Sequence, residues 1–93
     1  MNSDKQSRVA QIVNEKGLHA RASAKLVEVV EQFDADAEIS KDGLVASGDS
    51  IMGLLMLAAA RGTSIKIETS GPEALILADA IEALIGDRFG ESI

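Results

Sequence analysis

Ala37-Glu38-Ile39-Ser40-Lys41-Asp42-Gly43-Leu44-Val45-Ala46 is the stretch that decides how this chain folds. Ala37 to Ser40 alternates in the manner of a strand, and Leu44 to Ala46 reads as its return. Between them Asp42-Gly43 supplies the positive φ angles that a tight hairpin needs. On the N-terminal side, Asp34-Ala35-Asp36 closes a segment whose apolar residues Ala20, Ala24, Leu26, Val27, Val30 and Phe33 fall on one helical face. Arg21, Lys25, Glu28, Glu31 and Gln32 then face solvent. On the C-terminal side, Ser47-Gly48-Asp49-Ser50 is a turn ending in two N-cap residues, so a helix starts at Ile51.

Further out, Arg8 to Val13 reads as a strand from its β-branched Val9, Ile12 and Val13, with Ala10 and Ile12 on the buried face. Thr63 to Thr69 alternates Ile65 and Ile67 inward against Lys66 and Glu68 outward. Ser70-Gly71-Pro72-Glu73 opens a last helix with Pro72 near its first position, an apolar stripe of Leu77, Ala80, Ile81 and Leu84, and Gly86 as its stop. The order strand, helix, strand, strand, helix, strand, helix predicts an α+β sandwich: a four-stranded, mostly antiparallel sheet covered on one face by three helices. Residues 1–93 are expected to form one domain, with 1–7 and 87–93 loosely held.

Composition narrows the function. Nine basic residues against fifteen acidic ones give a net charge of −6, and no basic stripe is present. Nucleic-acid backbones require clustered Lys and Arg, so they are excluded as partners. Phe33 and Phe89 are too few and too far apart in the chain to stack bases. No cysteine occurs, and no apolar run reaches the roughly 18 residues of a membrane span. A cytoplasmic monomer without membrane insertion is the expectation.

His19 is the only histidine, and it stands after a glycine turn at the expected start of the first helix. Metal binding is a poor account of it, because a site needs three or four ligands and neither a second His nor any Cys exists. There is no G-x-S-x-G for a hydrolase nucleophile and no glycine-rich nucleotide motif, so no cofactor is expected. A histidine used as a nucleophile toward phosphorus fits better. A helix start disfavours imidazolium, and its free N–H groups donate to anionic oxygens. Arg21 could add a charge-assisted donor, although taken alone it reads as a solvated helix-surface residue.

Ile51 to Ala60 carries no charge. The pattern leaves two readings open: a helix sunk deep in the core, or an exposed docking patch of Ile51, Met52 and Leu55 to which flexible methionine is suited. Ser50 likewise reads either as a plain N-cap or as a modification site.

Gly17-Leu18-His19-Ala20-Arg21, followed by Ser50-Ile51-Met52-Gly53 and by the strand and helix from Ile65 to Leu84, closely resembles the HPr family, the histidine phosphocarriers of the bacterial phosphotransferase system. The resemblance covers nearly the whole chain in the same element order. It implies an open-faced βαββαβα sandwich, a phosphoryl group taken from phosphorylated enzyme I onto Nδ1 of the motif histidine, and its delivery to an enzyme IIA. Carried over, His19 is the acceptor and Arg21 its electrostatic partner. Ser50 would be the target of an HPr kinase/phosphorylase in organisms that have that enzyme. Ile51, Met52 and Leu55, with Ala20 and Ala22 beside His19, would form the common docking surface.

Such a protein is consumed and regenerated rather than acting on a small-molecule substrate of its own. Two departures stand out: Ala22 occupies the place where the family usually has proline, as in HPr-like members of nitrogen-related branches, and Asp49 precedes Ser50 where many kinase-regulated members carry a basic residue. Two other readings compete. One is a regulatory binding module of the same fold; the other is a small metabolite-binding domain in which His19 merely caps a helix.

Overall fold

A computed structural model describes residues 4–93. Its elements are β1 (Lys5–Gln11), α1 (Ala20–Glu31), β2 (Asp36–Lys41), β3 (Leu44–Ser47), α2 (Ile51–Met56), β4 (Ser64–Ser70) and α3 (Ala74–Gly86), followed by a short turn at Arg88–Gly90. The hairpin forms as read. Asp42 and Gly43 sit at φ 50° and 84°, the two positive angles of a primed turn, and Lys41 pairs with Leu44 and Ile39 with Ala46.

The sheet order is β1-β4-β2-β3 and every neighbouring pair is antiparallel. β4 is central, so Ile65 and Ile67 lie opposite Ala10 and Ile39 at the heart of the helix-covered face. These isoleucines, with Ile12, Leu26, Leu54, Leu57, Leu77, Ile81 and Ile85, form an almost wholly aliphatic core. Each such side chain removed from water contributes about 1.5–3 kcal/mol. The opposite face of the sheet is left open to solvent by the alternation of Val9, Gln11, Lys66 and Glu68 with those residues.

Several boundaries differ from the sequence reading. β1 begins at Lys5, because backbone pairing of Lys5, Gln6 and Ser7 with Ser70, Thr69 and Glu68 orders polar residues that carry no apolar signal. Of the expected loose N-terminal segment, Met1 to Ser3 lie outside the described residues. The buried stripe of α1 is Ala22, Ser23, Leu26, Val27 and Val30, whereas Ala20 is exposed. Ser23 can be buried because its hydroxyl donates to Leu18 O at 3.3 Å.

α2 is shorter than its apolar run. Ala58, at φ 51°, ends it, and Lys41 Nζ donates to Leu57 O and Ala58 O at 3.2 and 3.3 Å, satisfying the last carbonyls. In α3 the buried face is Ala74, Leu77, Ala78, Ile81 and Ile85, with Ala80 and Leu84 only half-buried. Pro72 lies before the helix, and Gly86 is its last residue, not its stop. Arg8 ties β1 to this helix through Asp79 and Glu82, at 2.9 and 2.5 Å.

The C-terminal tail departs most from expectation. Phe89 is fully buried, its carbonyl accepts from Lys25 Nζ at 2.6 Å, and Ile93 O accepts from Glu15 N at 3.0 Å. A single aromatic side chain anchors a segment that otherwise reads as polar.

Candidate functional site

The site is built on the turn Asn14 to Leu18. Asn14 is completely buried; its carbonyl accepts from Gly17 N at 3.2 Å and its Nδ2 donates back to Gly17 O at 2.8 Å. Gly17 sits at φ 67°, and a Cβ there would lie 2.5 Å from Ala59 O. That closeness allows Leu18 N to donate to Ala59 O at 2.9 Å, which joins the turn to the segment following α2. Leu18 is thereby sunk in the core and the next residue is delivered to the surface.

That residue is His19, the N-cap of α1, with extended backbone angles of −80° and −175°. Its carbonyl accepts the first helical bond, from Ser23 N at 2.8 Å. Among the described residues no side chain caps the helix start, so the amides of the exposed Ala20 and Arg21 are free donors in the first turn after His19, whereas Ala22 is buried. The ring is 28% exposed. Its Nε2 is hydrogen-bonded to Glu91 Oε2, while among the described residues Nδ1 has no protein partner.

Glu91 and Asn14 are site residues that sequence reasoning missed. Glu91 Oε1 accepts from Asn14 Nδ2 at 3.0 Å, so one carboxylate bridges the turn and the ring. The Asn14 amide, then the His19 ring, and then the charge of nearby Lys16 hold the Glu91 carboxyl below the usual carboxylate range. Asn14 could have been noticed as a polar residue directly after β-branched Ile12 and Val13. Nothing local marks Glu91, which lies 72 positions from its partner.

Of the other expected residues, Arg21 is exposed in the first turn of α1, and among the described residues no carboxylate lies within 4 Å of it. Ser50 is the N-cap of α2, its Oγ accepting from Gly53 N at 3.0 Å. Asp49, exposed beside it, accepts from Ser47 Oγ at 2.5 Å. Ile51 (39% exposed), Met52 (70%) and Met56 (75%) form an apolar surface, with Leu55 half-buried at its edge. The run is therefore mainly surface, with only Leu54, Leu57 and Ala59 entering the core. Ala22 corrects the expected docking set. It is fully buried under α1 and has no surface to offer a partner, whereas Ala20 does.

A recess of about 570 Å³ runs along the strands past Lys5, Asp36, Glu38 and Glu68, but no residue of the His19 turn lines it. No helix among the described residues is long and apolar enough to cross a membrane. A single, partly exposed imidazole at a helix start without a side-chain cap puts the chain in the class of proteins equipped to handle an anionic group at one side chain.

Comparison with known proteins gives that class its family. Residues 6–87 match the family model described as the PTS HPr component phosphorylation site. The chain is 46% identical to the phosphocarrier protein HPr of Cupriavidus necator, over 86% of this chain and 90% of that one. It is 39% identical to the phosphocarrier protein NPr of Klebsiella oxytoca, over 87% and 91%. The crystal structure of HPr-C-His from Thermoanaerobacter tengcongensis superposes with a TM-score of 0.90 at 30% identity, covering 95% of this chain and 99% of that one. The chain belongs to the HPr family, the phosphocarriers of the phosphotransferase system.

Proposed function

We propose that His19 is the phosphoryl-carrying residue, through Nδ1. The observation that carries this is the ring's placement: Nε2 is occupied by Glu91, and Nδ1 is left unpaired at a helix start whose first amides have no side-chain cap. The Nδ1 lone pair attacks phosphorus, and the free amides with Arg21 receive the phosphoryl oxygens. In this reading the donor is phosphorylated enzyme I, the acceptor is an enzyme IIA, and the protein shuttles between them as a cytoplasmic monomer, in sugar uptake or in a nitrogen-related branch.

Ile51, Met52 and Leu55, with Ala20, form the surface on which these partners dock in turn. The hydrogen bond from the His19 turn to the segment following α2, and the packing of α1 against α2, support this placement of patch and ring on one face. Ser50 is the site at which an HPr kinase/phosphorylase would act. A phosphate there is compatible with the start of α2 but sets about −1.5 to −2 charges beside the apolar patch, and so repels a partner without unfolding the helix. Asp49 next to it opposes that modification electrostatically.

The test is incubation with phosphoenolpyruvate and enzyme I, followed by measurement of an acid-labile phosphoryl adduct. Wild type takes up one group and His19→Ala takes none. Equal uptake by both would end the assignment of His19.

A further inference from the structure

Beyond α3 the chain turns back through three successive residues in the left-handed region: Arg88 (φ 56°), Phe89 (φ 54°) and Gly90 (φ 78°). For the two with a Cβ this conformation is disfavoured, and it persists only where surrounding contacts over-determine it. Those contacts are the buried Phe89 ring, the bond from Lys25 Nζ to Phe89 O, and the bond from Glu91 N to Arg88 O at 2.9 Å. The product of this turn is the placement of Glu91. Its side chain is only 15% exposed, one oxygen facing His19 and the other held by Asn14. Asn14 is in turn tied to Gly17 of the same turn that carries the histidine.

An ionised carboxylate only accepts hydrogen bonds, so in the neutral ring Nε2 carries the proton and Nδ1 carries the lone pair. We infer that Glu91 is a positioning residue for phosphoryl transfer, holding His19 in the Nε2–H tautomer with Nδ1 free at the start of α1. The inference rests on the reading of His19 as the acceptor. With a phosphohistidine as donor, the Nδ1–P bond forms as the donor's N–P bond breaks, and that electron pair returns to the donor ring. The Nε2 proton does not move. The ring gains positive character as the bond forms, and the carboxylate facing Nε2 stabilises it. In the onward step the same proton lets the ring leave as a neutral imidazole instead of an imidazolate. The lowered Glu91 pKa agrees with a carboxylate that is charged at neutral pH.

The test compares wild type with Glu91→Ala and Glu91→Gln in two measurements. Phosphorylation by enzyme I and phosphoenolpyruvate should fall about tenfold in kcat/KM for Glu91→Ala, equivalent to about 1.4 kcal/mol. Glu91→Gln, which keeps an accepting oxygen but not the charge, should fall between the two. Nitrogen-15 NMR of the unphosphorylated ring at a pH where it is neutral should show the Nδ1–H tautomer rising in Glu91→Ala and less so in Glu91→Gln. A wild-type transfer rate in Glu91→Ala overturns the proposal. So does a slowed rate with an unchanged tautomer ratio, since loss of tail packing alone would give that result. Absence of phosphorylation on wild-type His19 would instead end the carrier reading, and the NMR measurement would still report whether Glu91 sets the tautomer.

Discussion

Gly17→Ala should be the most damaging single-methyl substitution near the site, and its cost can be worked out from the backbone. At φ 67° an L-residue pays roughly 1–2 kcal/mol for the left-handed region. The added Cβ would also lie 2.5 Å from Ala59 O and 3.0 Å from Ala60 Cα, both main-chain atoms that cannot rotate away. Relief requires the turn to move off that segment, which stretches the Leu18 N to Ala59 O bond. A buried donor left without its partner costs about 1–3 kcal/mol. The total is about 2–5 kcal/mol. Gly43→Ala is the control, because at φ 84° its Cβ would meet nothing within 4 Å, leaving only the conformational cost of roughly 1–2 kcal/mol.

Thermal unfolding followed by far-UV circular dichroism reads the difference. The excess cost of about 1–3 kcal/mol, at about 4–8 °C per kcal/mol for a chain of this length, should make Gly17→Ala melt about 4–24 °C below Gly43→Ala. Phosphorylation of His19, two residues on, should also slow in Gly17→Ala even well below its melting point, while Gly43→Ala transfers normally. Equal melting temperatures for the two variants would refute the claim that close approach to Ala59, rather than the φ angle, makes glycine necessary at position 17.

Met52→Glu tests the docking face. Met52 is 70% exposed, so its replacement should change stability by no more than about 0.5 kcal/mol. Transfer from enzyme I should drop about tenfold in kcat/KM, and unchanged transfer would remove the patch from the interface. Glu91 gives a pH dependence whose sign is set by its lowered pKa. Below the ordinary value of 4.5 the unfolded chain binds a proton that the folded chain does not. The stability Glu91 contributes is therefore present above that pH and lost as pH falls through the folded value. Between about pH 5 and pH 3 wild type should lose melting temperature more steeply than Glu91→Gln, and parallel curves would contradict the bridge to Asn14 and His19.

Most of the architecture was legible because it rests on local periodicity. The alternation of Ile65 and Ile67 with Lys66 and Glu68, and the Asp42-Gly43 turn, carry their own structural consequences wherever they occur. What failed locally did so for identifiable reasons. The face of α1 was misplaced at its start because alanines and Ser23 give almost no hydropathy contrast, so Ala20 and Ala22 exchange roles. The end of α2 had no local signal, because an uncharged run cannot mark where a helix stops. A lysine on β2 and a positive φ at Ala58 mark it instead.

The sequence by itself determined the strand and helix order, the hairpin, the singular His19 at a helix start, and the pairing of that motif with Ser50-Ile51-Met52. Each element and each motif depends on residues within a few positions of one another, and their order is read along the chain. Only the tertiary structure decided which apolar residues of α2 remain at the surface, and that Glu91 and Asn14 join His19. Burial of Phe89 folds the tail back onto α1, and a hydrogen bond across 72 residues leaves no trace in either local pattern.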